Sequence, residues 1–170
     1  LPKLKVISKY GVGLNNLDLK LLKKRNIRLG FTPGVNKQSV AELALALMLI
    51  GLKKIQENNR EIIEGNWPQE KGSELYGKNI GLLGFGNIGQ KLASLLQPFN
   101  CKISFFDERN FSNMEIVEIS SQLNIDPNSV KQEPLEKVLN ESDILSIHLP
   151  FTSSTENILS LKDLKKLKPN

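Results

Sequence analysis

Apolar residues along this chain come in short runs that alternate with longer segments of helical spacing. Residues 4–8, LKVIS, form the compact apolar run of a short strand. LKLLKKRN, at 19–26, then repeats leucine at helical intervals. Asp18 stands where a helix cap belongs, and the basic end suits a helix C-terminus. IRLGF, at 27–31, reads as a second short strand. Strand, helix and strand in this order predict a βαβ unit.

TPGVNKQ, at 32–38, reads as a linker punctuated by Pro33 and Gly34. Ser39 followed by Glu42 predicts a capping box for the next helix. That helix is apolar all round over VAELALALMLIGL and polar over KKIQENNREIIEG. The change predicts one long helix, buried between layers at its start and exposed later. A domain boundary is expected near residues 32–36, dividing 1–33 from 34–170.

A second series follows. NIGLLGF reads as a strand, NIGQKLASLLQPFN as a helix and CKISFFD as a strand. NMEIVEISSQLN and PLEKVLNES read as helices, and DILSIHLP as a further strand. Ser160 with Asp163 predicts the cap of a last helix, LKDLKKLK. The strands are apolar on both sides, as buried parallel strands are. The fold class expected is α/β, a doubly wound parallel sheet of Rossmann type. The stretch 110–134 has the appearance of an insertion.

GLLGFGNIG, at 81–89, carries Gly84, Gly86 and Gly89 in the spacing G-x-G-x-x-G. Alone this is a weak signal. Here it follows an apolar strand, opens an amphipathic helix, and precedes a strand that ends in Asp107. Gly84 allows a tight turn, Gly86 lets backbone approach a pyrophosphate, and Gly89 lets helix pack on strand. The N–H groups of Asn87 and Ile88 face where the phosphates would lie. Asp107 would accept hydrogen bonds from the adenosine ribose hydroxyls and repel a 2′-phosphate. NAD is therefore expected over NADP, although Arg109 stands near enough to assist a 2′-phosphate.

Composition narrows the field. With 170 residues and 39% hydrophobic content, one full domain and part of a second can be buried. The formal charge of +5 is spread over helical lysines with few aromatics between them, which reads as solvated surface. No nucleic acid is expected as a partner. The longest apolar run, 43–52, is about half of the ~20 residues a bilayer crossing needs, and no membrane association is expected. A single cysteine, Cys101, excludes an internal disulfide and a multi-cysteine metal site, and fits a reducing compartment, the cytoplasm. Metal ligands are not expected.

Four blocks in order carry a resemblance over nearly the whole chain: KVISKYGVGLNNLD, TPGVNKQSVAELALALML, GNWPQEKGSELYGKNIGLLGFGNIGQKLA and SDILSIHLPFTSSTENIL. The chain resembles the D-isomer-specific 2-hydroxyacid dehydrogenases, most nearly the phosphoglycerate dehydrogenase group. Glyoxylate and hydroxypyruvate reductases share the loop type, and NAD-sensing corepressors share the fold. The resemblance implies hydride transfer between NAD(H) and a small 2-hydroxy or 2-oxo acid. It implies a Rossmann domain beside the remnant of a flavodoxin-like substrate domain, the active site between them, and a homodimer.

Residue by residue, the resemblance gives Val12 and Gly13 to the loop facing substrate carboxylate and nicotinamide. It sets Val40 near the nicotinamide ring, where core packing is an equal reading. It gives Leu149 and Pro150 to a strand-end loop beside the cofactor. The family's acid/base His lies further along, so His148 is read as a strand-end structural residue. The family's Arg, Glu and His fall beyond the segment that ends at LKPN. The chain is therefore expected to be a fragment that holds cofactor without turning over. Asn15 and Asn87 stand where the family often has Asp and Arg.

Overall fold

The computed structural model describes residues 3–169. Near the start, β1 (Val6–Ser8) and β2 (Arg28–Gly30) pair in parallel, Ile7 beside Leu29. α1 (Leu19–Lys24) joins them, and the Asp18 carboxylate accepts from the Leu21 N–H at its first turn. This is the βαβ unit the pattern predicts.

α2 (Lys37–Leu52) and α3 (Ile55–Ile63) follow, then a parallel sheet. Its strands are β3 (Asn79–Leu83), β4 (Lys102–Phe106), β5 (Val130–Gln132) and β6 (Ile144–Ile147), in the order β5-β4-β3-β6. The chain runs outward from β3 through β4 to β5, then crosses back to set β6 on the other side of β3. The order therefore reverses between β3 and β6, and open α/β sheets bind ligands at the carboxyl end of such a switch point.

Helices cover both faces. α4 (Asn87–Leu96) and α5 (Asn113–Leu123) lie on one face, where Ile80, Leu82, Leu92, Leu96, Phe105 and Ile116 share a buried cluster. Ala41 and Met48 bring α2 onto the same cluster. The alternate positions of β3 face α6 (Leu135–Glu141), with Leu83, Val138 and Leu139 buried. A side chain has no room at Gly81, where a Cβ would lie 2.1 Å from Ser142 Oγ and 2.9 Å from Val138 Cγ1. Each fully buried leucine here contributes about 1.5–3 kcal/mol relative to exposure. α7 (Leu161–Leu164) closes the described chain with the Ser160–Asp163 capping box that the sequence predicts.

Three readings change. The second helix starts earlier than the expected Ser39 cap. Gly34, at φ +73°, turns the chain so that its carbonyl accepts from the Lys37 N–H, and Asn36 becomes the cap residue without a side-chain bond. Glu42 instead accepts from Gln38 one turn back. The expected single long helix breaks at Lys54, whose left-handed backbone separates α2 from α3. Only Ala41 and Met48 of α2 are buried, so the apolar start is not enclosed on all sides. The 110–134 stretch supplies α5, a helix the sequence predicts, and the strand β5, which it does not. VKQ carries little strand signal, because Val130 alone of its three residues is buried.

Candidate functional site

The glycine loop is built by three different constraints. Gly84 leaves β3 at φ +98°, and a Cβ there would lie 2.8 Å from the His148 carbonyl oxygen at the end of β6. Gly89 sits against the turn itself, and its Cβ would lie 2.3 Å from the Gly84 oxygen. Gly86 meets nothing within 4 Å, so its absent side chain leaves open space in front of the loop. Two glycines serve packing, and the third keeps the approach clear.

Beyond them the start of α4 carries no side-chain cap. The N–H groups of Asn87 and Ile88 are among those with no intrahelical partner, and they add to the positive end of the helix dipole. Such an end is made for an anion. The loop fits a pyrophosphate: a clear approach at Gly86 and unclaimed donors behind it.

Asp107 is tied to the same loop. Its Oδ2 accepts from the Phe85 N–H at 2.7 Å, and its Oδ1 accepts from the Arg109 N–H at 3.0 Å. An ionised carboxylate has about four acceptor positions, so both oxygens can still take a hydroxyl. Phe85 is itself fixed, buried and stacked on Phe105 at 4.0 Å between centroids. The Arg109 guanidinium is engaged by its neighbours: it pairs with Glu115 and lies 4.5 Å over the Phe111 ring.

A cleft of about 950 Å³ opens at the carboxyl end of the sheet. Val12 and Gly13 of the first βαβ unit form one wall, with Gly34 and Val40 at the bend into α2. Gly86, Asn87 and Ile88 line the cleft next to Gly34, and Leu149 and Pro150 do so from the end of β6. Of the expected site residues, Gly84 and Gly89 lie behind the loop and shape it. Asp107 instead lines a second cavity of about 740 Å³ between α5 and β5. Val40 is half-buried on the cleft wall rather than enclosed in the core.

His148 also reaches the cleft, and its Nε2 lies 2.9 Å from Ser146 Oγ. Burial pushes its pKa below the ordinary value. Cys101 is buried with its thiol toward the Leu75 carbonyl, and burial pushes the thiol pKa up. Neither carries the character of an activated group.

Three local contacts go beyond the sequence reading, one of them at Asn87, which that reading already names for its N–H. Phe85 reads as one more apolar residue until its stacking partner is known. Asn87 abuts Gly34, where a Cβ would lie 2.9 Å from its Cγ, and no local pattern reports that contact. Glu115 was legible: Ser112 and Glu115 have capping-box spacing, and the structure forms the box.

A parallel sheet in this order, with a glycine turn at its switch point and an acidic residue ending the next strand, is a Rossmann-type dinucleotide-binding domain. The chain belongs to the D-isomer specific 2-hydroxyacid dehydrogenases, whose NAD binding domain matches residues 45–170. It is 37% identical over 167 residues to a hydroxypyruvate reductase of Thermotoga maritima, covering 97% of this chain and 50% of that protein. It is 35% identical over 178 residues to a glyoxylate reductase of Thermococcus litoralis, covering 99% and 51%. Among solved structures it resembles D-lactate dehydrogenase from Aquifex aeolicus complexed with NAD and lactic acid, with a TM-score of 0.84 at 25% identity, covering 98% and 48%. The chain thus spans about half the length of the relatives it matches. NAD is the cofactor of the domain. No helix among the described residues is long and apolar enough to cross a membrane.

Proposed function

We propose that this chain is the cofactor-holding part of an NAD-dependent dehydrogenase that interconverts a D-2-hydroxy acid and its 2-oxo acid. The observation that carries this is the tie between Asp107 and the Phe85 N–H across the glycine turn. It sets a carboxylate beside a loop of open amide donors, one for the adenosine ribose and the other for the pyrophosphate. Bound NADH would supply the hydride for reduction of the 2-oxo acid, and bound NAD+ would accept it in the reverse direction. Gly84 and Gly89 shape the loop, while Gly86, Asn87 and Ile88 hold phosphate.

Residues 1–33 belong to the substrate domain in this reading, and residues 34–170 to the cofactor domain. Val12 and Gly13 then face the nicotinamide end and the substrate carboxylate. A glycine-containing loop can aim N–H groups at an anion. Val40 presses on the ring, and Leu149 and Pro150 bound the cofactor from β6. The cleft supports this, because all five residues line it together with the glycine loop.

The substrate is a small 2-oxo acid. Relatives named as glyoxylate and hydroxypyruvate reductases favour that choice over a phosphoglycerate. Reduction rates of glyoxylate, hydroxypyruvate and phosphorylated hydroxypyruvate, measured on the protein at its full natural length, test it. Preference for the phosphorylated acid would overturn it. α2 also leaves Leu43 59% and Leu47 57% exposed, which supports a homodimer formed across this helix. Sedimentation as a monomer at micromolar concentration would contradict that.

A further inference from the structure

The turn after β4 holds two groups with opposite preferences for the adenosine ribose. Asp107 repels a 2′-phosphate, and Arg109, two residues on, could attract one. The backbone between them is pinned. The Arg109 N–H donates to Asp107 Oδ1 at 3.0 Å. Gln132 of β5 donates to the Arg109 carbonyl at 2.8 Å and accepts from the Phe111 N–H at 2.8 Å. The main chain of Arg109 therefore has little freedom, and where its charge sits depends on the side chain alone.

That side chain is held by a built anchor. Phe111 supplies a face under the guanidinium, and it is fixed edge-on against Phe85 and Phe105 at 5.8 and 5.5 Å. Glu115 supplies the counter-charge, and it is fixed in turn by the capping box of α5. Its Oε2 accepts from the Ser112 N–H at 2.9 Å and from the Ser112 hydroxyl at 3.0 Å, leaving Oε1 for Arg109. The Ser112 contacts, and after them Arg109, hold the Glu115 carboxyl below the usual range, so it stays ionised.

We infer that Glu115 is a positioning residue for cofactor choice: by holding Arg109 on Phe111, it keeps a cation away from the ribose 2′ position. NAD preference in this chain then has two parts, the repulsion of Asp107 and the sequestration of Arg109. Neither Glu115 nor Phe111 touches the cofactor in this account. The inference rests on the reading that Asp107 faces the adenosine ribose.

Calorimetric titration with NADH and with NADPH tests it, on the wild-type chain, Glu115→Gln, Glu115→Ala and the double variant Glu115→Gln/Arg109→Ala. Gln keeps the capping geometry while removing the charge, and Ala removes both. Both single variants are expected to raise the ratio of NADPH to NADH affinity about fivefold, the scale of one exposed charge pair. The double variant is expected to lose that gain. An unchanged ratio in both single variants, with NADH still bound, overturns the inference and leaves the site reading standing. A gain that persists without Arg109 overturns it as well. Failure of the wild-type chain to bind NADH overturns the site reading and this inference together.

Discussion

The carboxylate of Asp107 accepts the backbone N–H of Phe85 at 2.7 Å, joining the end of β4 to the middle of the glycine turn after β3. The side chain has two duties in this arrangement. It holds the loop through the Phe85 N–H, and each of its oxygens keeps acceptor capacity beyond the one bond it takes. Replacing it by alanine therefore does more than remove the proposed ribose contact: the Phe85 N–H loses its acceptor within a part-buried setting. Asp107→Ala is expected to weaken NADH binding at least about tenfold and to lower stability by about 1–3 kcal/mol. Titration and urea unfolding check the two effects separately.

Gly86 and Gly89 are both small, but they should fail differently. A Cβ at Gly86 projects into open space, so Gly86→Ala is expected to stay within about 0.5 kcal/mol of wild type in stability. It should nevertheless lose NADH affinity at least about tenfold, because the methyl occupies the approach to the pyrophosphate. Gly89→Ala forces backbone apart at the Gly84 oxygen and should cost about 1–3 kcal/mol. Thermal melts beside NADH titrations separate the two. Equal destabilisation by both changes would mean that the loop is only a turn.

His148 gives stability a pH dependence whose sign follows from burial. The folded state holds the neutral ring, so its pKa lies below the ordinary value near 6.5. The unfolded chain then binds the proton more readily. The contribution is fully present above the unfolded pKa and is lost as pH falls from there through the folded pKa. Urea midpoints are expected to fall from pH 7.5 to about 5.5, and His148→Gln should flatten part of that slope.

Cys101 should be silent in the native state. It is buried, and its thiol is pushed toward the protonated form. A thiolate-specific reagent is expected to react at the rate of global unfolding, and rapidly in urea. Fast labelling of the folded chain would show that the floor of the sheet around Leu75 is open.

Much of this was legible from residue order, for identifiable reasons. The strand before Gly84 and the acid after KISFF have fixed spacing because the βαβ unit has fixed geometry, and Gly84, Gly86, Gly89 and Asp107 follow from it. Val12, Val40 and Leu149 come from three distant segments, and local pattern cannot bring them to one cleft. They could be named only through a resemblance. The start of α2 departs from the sequence expectation because Ser39 and Glu42 satisfy a local rule, while the turn at Gly34 decides where the helix begins. β5 is not legible in the sequence, because an edge strand of three residues with one buried side chain carries almost no period. The Ser112–Glu115 cap is legible in the S-x-x-E spacing, but the pairing of Glu115 with Arg109 and the seat of Arg109 on Phe111 depend on the fold.

The most direct test of the account is calorimetric titration of this chain with NADH and then with NADPH. The account predicts saturable NADH binding, clearly tighter than NADPH, and its loss in Gly86→Ala at unchanged melting temperature. Equal affinity for the two nucleotides would contradict the role given to Asp107. Wild-type binding that survives Gly86→Ala would contradict the placement of the pyrophosphate on the glycine loop.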